Sequence, residues 1–234
     1  MKDEPTRSTR PLDRSALEIM LVLVLITLPD VLLSNSVSLP FTLRRSPLLQ
    51  VKYWVNTISS LEYLVPILLF IAMLVFWLTR RNALVRHIAI FYLGWVTLRL
   101  VIKVVLIVFI ILSRPQTVEG ALLKDTVVLW IVNFFLFGTW FWIIDAGGPR
   151  ARHEGLPQRY DFAFPQRSLT MPGWDNWQPR FWDYVFLAFS SNTQFGLGDT
   201  QVLSLRAKFL TMLQITLSMT VIVFMATFAI SLLR

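Results

Sequence analysis

Five apolar segments dominate this 234-residue chain: Ala16–Ser34, Leu61–Thr79, Ile88–Leu112, Thr126–Ile144 and Phe209–Leu233. Each is long enough, or nearly so, to cross a hydrocarbon core of about 30 Å as a helix rising about 1.5 Å per residue. Hydrophobic residues are 55% of the composition, more than a soluble domain of this size can keep covered. These constraints predict an all-α membrane protein of five transmembrane helices, because a helix satisfies its own backbone polar groups in lipid.

The net charge of +8 does not point to nucleic acid. The basic residues fall mostly in the connections between apolar segments, where they set topology and meet lipid headgroups, so the expected partner is the bilayer itself. There is no cysteine, which removes disulfides, thiolate metal sites and cysteine nucleophiles together. The two histidines, His87 and His153, sit in connections far apart, so no metal site is expected. Neither a cofactor nor a small-molecule substrate is indicated, and no catalytic residue stands out.

Residues 1–15 form a polar N-terminal segment. Basic residues up to Arg14 followed by an apolar run resemble a signal peptide, but Pro29-Asp30 interrupts that run and no small-residue cleavage pattern follows, so it reads as an uncleaved first helix. Residues 16–125 hold three peripheral helices. The stretch from Asn35 to Ser60 carries two prolines, Arg44, Arg45 and Lys52, and is expected to lie in the interface. Thr79–Arg86 is a short basic turn that makes the second and third helices an antiparallel hairpin. Asp125 is placed to cap the fourth helix, and Asp145-Ala-Gly-Gly-Pro149 is a stop signal for it.

Five of the nine tryptophans (Trp140, Trp142, Trp174, Trp177, Trp182) lie between the end of the fourth helix and the start of the segment Phe181–Ser190. Tryptophan favours the headgroup level, so both ends are expected at one membrane face. Ten residues make only about 15 Å of helix. The segment therefore predicts a half-crossing that returns through Thr193-Gln-Phe-Gly-Leu-Gly-Asp199, followed by a short extended stretch, Thr200 to Leu203. Gly196 and Gly198 permit the left-handed and mirror conformations that aim successive carbonyls in one direction.

The order outer helix, short aromatic helix, Thr-x-x-Gly-x-Gly-Asp and inner helix resembles the pore module of potassium channels over residues 126–234. The resemblance implies a homotetramer in which Thr193, Gln194, Phe195, Gly196, Leu197, Gly198 and Asp199 line a path for a monovalent cation, potassium included. Gln194 stands where that family places threonine, Phe195 where it places valine or isoleucine, and Leu197 where it places tyrosine. The whole chain also resembles a group of uncharacterised bacterial integral membrane proteins. That likeness rests on Asp145–Pro149, Asp161-Phe-Ala-Phe-Pro-Gln166, and the residues from Trp182 through Ser190, Asn192, Thr193, Phe195 and Asp199 to Arg206 and Lys208. It implies a bacterial cytoplasmic (inner) membrane.

Two other classes compete. One is a membrane scaffold or interaction protein that keeps the loop for packing without conducting. The other is an intramembrane aspartyl protease, whose Gly-x-Gly-Asp and Tyr-Asp elements are matched by Gly196–Asp199 and Tyr160-Asp161. Against it, Tyr160-Asp161 lies in a polar loop, and the Pro-Ala-Leu element of that family is missing.

Inside the third helix, Arg99 and Lys103 lie one turn apart, where a charge at mid-bilayer costs about 2.5–3.5 kcal/mol unless it is paired or snorkels. A hairpin folded about residue 118 sets Lys103 level with Asn133, and Arg99 near Phe137 and Trp140. In the last helix Thr216, Thr220, Thr227 and Ser231 share one face, either lining a wet cavity or packing against another helix. With the N-terminus inside, the N-terminal segment, the 79–86 turn and the long loop through Lys208 carry 14 Lys and Arg, against 6 on the other side. The positive-inside rule thus puts the glycine loop on the cytoplasmic face, opposite to potassium channels.

Overall fold

The computed structural model describes residues 17–24, 26–27, 64–76, 78–79, 82–112, 119–153, 159–169, 171–172, 177–193 and 200–231. These are mostly helical. Residues 17–24 and 26–27 are helical, and Leu64–Phe76 is a short apolar helix. Five labelled helices follow: α1 (Asn82–Leu112), α2 (Glu119–Ile144), α3 (Pro149–His153), α4 (Phe181–Asn192) and α5 (Leu205–Ser231). Within α1, α2 and α5, the segments Leu84–Val108, Leu123–Gly147 and Leu205–Ile230 are long and apolar enough to cross a membrane. That is the signature of an integral membrane protein.

The three long helices begin earlier than the apolar runs suggest. The first starts six residues before Ile88, because helical hydrogen bonding continues past the apolar edge into the basic turn. Asp125 does not cap α2, which starts at Glu119; it lies inside the helix and is buried.

Axial register between α1 and α2 follows the expected hairpin. Trp140 Nε1 donates to Thr97 Oγ1 at 2.9 Å, a pairing centred close to residue 118. The azimuth differs. Asn133 does not face Lys103 but turns away, into the contact of α2 with α4 and α5.

Helix α4 packs antiparallel to α2 in a single register. Trp142 meets Phe181 at 5.7 Å between ring centroids, and Phe134 meets Phe189 at 5.6 Å. Between these pairs Gly138 lies so close to Val185 that an added Cβ would fall 2.9 Å from the Val185 Cα. The missing side chain at residue 138 is what allows the two helices to approach. Helix α5 runs parallel to α4, and its first turn lies beside the end of α2, where Arg206 Nη2 donates to the Ile144 carbonyl at 3.1 Å.

One short ladder supplements the helices. The strand β1 (Phe162–Ala163) pairs antiparallel with β2 (Gln201–Val202), with Phe162 opposite Val202. The extended stretch after residue 200 was legible in the sequence; its partner was not. Aromatic contacts seat the β1 loop on the helices: Phe162 on Phe141 at 4.9 Å, and Phe164 on Tyr184 at 5.2 Å.

Candidate functional site

The predicted site divides into parts the structure places and a part it does not. Gln194, Phe195, Gly196, Leu197, Gly198 and Asp199 lie outside the described residues. Thr193 is described. It closes α4, its N–H donating to Phe189 O, and its hydroxyl turns back to the carbonyls of Phe189 (3.1 Å) and Ser190 (3.2 Å).

Immediately before it, the C-terminal end of α4 is held by a cluster of neutral polar side chains. Asn133 Nδ2 donates to Asn192 Oδ1 at 2.8 Å, and Asn192 Nδ2 donates to the Trp130 carbonyl at 3.1 Å. From α5, Gln214 Nε2 donates to Ala188 O and Ser218 Oγ to Asn192 O, each at 2.6 Å. Asn133, Asn192, Gln214 and Ser218 are all buried. A helix end leaves carbonyls without intrahelical partners, and in an apolar surround another group must supply the hydrogen bond. Here Ser218 supplies one. Asn133 Oδ1 and Gln214 Oε1 accept no hydrogen bond among the described residues.

The buried polar face of α5 is therefore Thr211, Gln214 and Ser218 rather than the threonine stripe. Thr216 and Thr227 are exposed, and Thr216, Thr220 and Thr227 each donate to the carbonyl four residues back, within 2.9 Å. Ser231 closes the helix. Of the intramembrane charges, Arg99 is buried and Lys103 half-buried.

A second constellation sits at the opposite end of α4. Asp145 directly follows α2, opening a single 3-10 turn, and is fully buried. Its Oδ1 accepts the backbone N–H groups of Asp161 (2.7 Å) and Phe162 (3.2 Å), and its Oδ2 accepts the Tyr184 hydroxyl (2.5 Å). Arg167 Nη2 stands 3.9 Å from the same Oδ2 and adds a countercharge to these donors. The turn after it needs left-handed backbone: Ala146 has φ 50°, Gly147 80° and Gly148 97°. Gly148 has a second reason to lack a Cβ, which would lie 2.9 Å from Ile143 O.

Arg152 reaches back from α3 to the carbonyls of Trp142 (2.9 Å) and Asp145 (2.6 Å), with its guanidinium 5.2 Å from the centre of the Tyr184 ring. Burial lowers the Arg152 pKa from its ordinary value, while the charges of Tyr184 and Asp145 oppose the shift. Burial raises the Tyr184 phenol far above its ordinary range; Arg152 opposes this and Asp145 adds to it. Asp161 in turn accepts two bonds from Arg206, Nε at 2.7 Å and Nη2 at 2.6 Å. A two-point arginine pair of this kind commits that carboxylate to structure.

The fold thus gathers Asp145, Asp161 and Arg206, which lie up to 61 residues apart in the sequence. Asn192 belongs to the other cluster, and Trp182 and Lys208 are exposed. Sequence reasoning missed the link between Asp145 and Tyr184 and the role of Gln214; an amide in the middle of an apolar run was the available signal. No group of acidic and histidine residues suited to a metal ion occurs among the described residues. No family profile matches the chain, and no curated protein or solved structure is significantly similar to it.

Proposed function

We propose that the chain is a channel-like membrane protein that conducts monovalent cations passively through a homotetrameric pore lined by Thr193–Asp199. In this reading five segments cross the membrane and α4 enters and stops halfway. One observation carries it. Helix α4 starts where α2 ends and α5 begins, and it terminates against Asn133 and Ser218, near the middle of both long helices. Twelve residues of helix cover about 18 Å. Residues 193–200 must then return to the face where β2 lies, and eight residues reach at most about 26–29 Å when extended. A return of about 18 Å is within that reach, so the loop is long enough to re-cross half a bilayer, as a filter loop must.

The exposed face of α5, with Thr216 and Thr227, is free in a single chain to meet a cavity or a neighbouring copy. The charge count sets the loop's face toward the cytoplasm, in the inner membrane of a bacterium. A scaffold reading is favoured by one specific contact: Ser218 engages the last carbonyl of α4 from within the chain instead of leaving it aimed at a cavity. The protease reading loses ground, because Asp161 is bound at two points by Arg206.

The test is ion flux through purified protein in liposomes, with Gly198→Asp beside the wild type. Conduction predicts cation flux that the variant abolishes while its melting temperature stays close to wild type. Absence of flux in vesicles shown to hold folded protein would sink the channel reading in favour of the scaffold.

A further inference from the structure

Charge at the closing turn of α2 is unevenly matched. Arg86, on the first turns of α1, lays its guanidinium against Gly148, with Cζ 3.5 Å from where a Cβ would stand. Its Nε is buried and has no hydrogen-bond partner among the described residues. Among the described residues no carboxylate pairs with it. Arg206 lies at the same turn, tied to Ile144 O and Asp161, close enough for its charge to be felt at Arg86. The Arg206 side chain remains 57% exposed, and its Nη1 makes no hydrogen bond among the described residues. Asp145 and Asp161 are saturated by other donors. The two guanidiniums share this turn with the Asp161 carboxylate, and the half-buried Arg86 has no acceptor among the described residues, so an anion that joins them is favoured.

The depth of this pair narrows the anion. Arg86 sits two residues after the start of one apolar span, Arg206 one residue after the start of another, and Gly148 one residue after the end of a third. That is the level of lipid phosphates, with exposed Leu84 and Leu205 beside it to meet acyl chains. We propose that Arg86 and Arg206 together bind the phosphate of an anionic phospholipid headgroup at the turn closing α2. The guanidinium fork of each arginine suits the tetrahedral oxygens of a phosphodiester. The site is independent of whether the protein conducts.

The test is lipid retention. Protein in mild detergent is titrated with phosphatidylglycerol, phosphatidylcholine and inorganic phosphate, and bound lipid is counted by native mass spectrometry. The expected result is one preferentially retained phosphatidylglycerol per chain, with affinity about fivefold to tenfold lower in Arg86→Gln and partly restored in Arg86→Lys. Lys208→Gln, which removes an exposed cation from the same face, should leave retention unchanged. Arg86→Gln must keep the wild-type melting temperature in lipid-free detergent, and Arg86→Met, which keeps an unbranched stem beside Gly148 without the charge, offers a second variant if it does not. Equal retention of both lipids, or equal loss in the Arg86 and Lys208 variants, would overturn the proposal. Inorganic phosphate binding in place of lipid, abolished by Arg86→Gln, would overturn the lipid and assign a soluble phosphate to the pair.

Discussion

The two ends of α4 are fastened by opposite chemistries. At its start a buried carboxylate, Asp145, gathers Tyr184 and two backbone N–H groups, with arginines around it. At its end, halfway along α2 and α5, amides and a hydroxyl do the same work without a formal charge. Water and headgroups near the helix ends allow ions to be used there. Mid-span an ion would cost several kcal/mol, and a neutral amide can still occupy a helix terminus. Charge is used where donors and arginines gather around it at the helix ends, and amides provide alignment mid-span.

The largest expected effect tests the charged end. Asp145→Ala leaves the Tyr184 hydroxyl and two backbone donors without an acceptor and should cost about 3–5 kcal/mol in detergent unfolding. Asp145→Asn, which keeps an accepting oxygen, should lose markedly less. Equal losses would mean that the charge, not the acceptor geometry, holds this end.

A smaller effect sharpens the same end through pH. The folded state keeps the Tyr184 proton, since burial raises its pKa, so its contribution is fully present below the unfolded tyrosine pKa of about 10 and declines as pH rises past it. Tyr184→Phe should cost about 1–2 kcal/mol at neutral pH and flatten that alkaline decline. Unfolding profiles from pH 7 to 11 that superpose, apart from a constant offset, would remove Tyr184 as the cause.

The smallest effect belongs to the amide end. Asn133→Leu and Gln214→Leu should each cost only about 0.6–1.7 kcal/mol, the range of interhelical hydrogen bonds in membranes. Losses as large as that of Asp145→Ala would erase the contrast between the two ends.

Much of this arrangement was legible in the sequence, and the gaps have physical causes. Apolar length fixes where a helix lies along its axis, so the α1–α2 hairpin level, the stop after Ile144 and the short α4 could be read directly. Rotation about the axis could not. Through its membrane-crossing part α2 carries no continuous polar face, so its sequence does not show that Asn133 looks toward α4 and not toward Lys103. The Asp145 turn was recognisable from its glycines, but Tyr184 lies 39 residues further on, and nothing local announces the bond between them. Asp125 misled because an apolar run marks where lipid begins, whereas a helix ends where its backbone bonds end.

The Arg206–Asp161 pair has a mechanical consequence. Together with the β1–β2 ladder it anchors the first turn of α5 to the same loop that Asp145 fastens to α2. The 27 residues of α5 make a rod about 40 Å long. Beyond Val221, Phe228 is its one buried hydrophobic residue among the described residues. A rod held along its first half, at Arg206, Gln214 and Ser218, and sparsely beyond is a lever only past the last of these: a tilt of about 10° there carries the tip, about 20 Å on, by about 3 Å, given a rise of about 1.5 Å per residue. Displacement in this helix accumulates toward residues 224–231, and the Ser218 contact is its fulcrum.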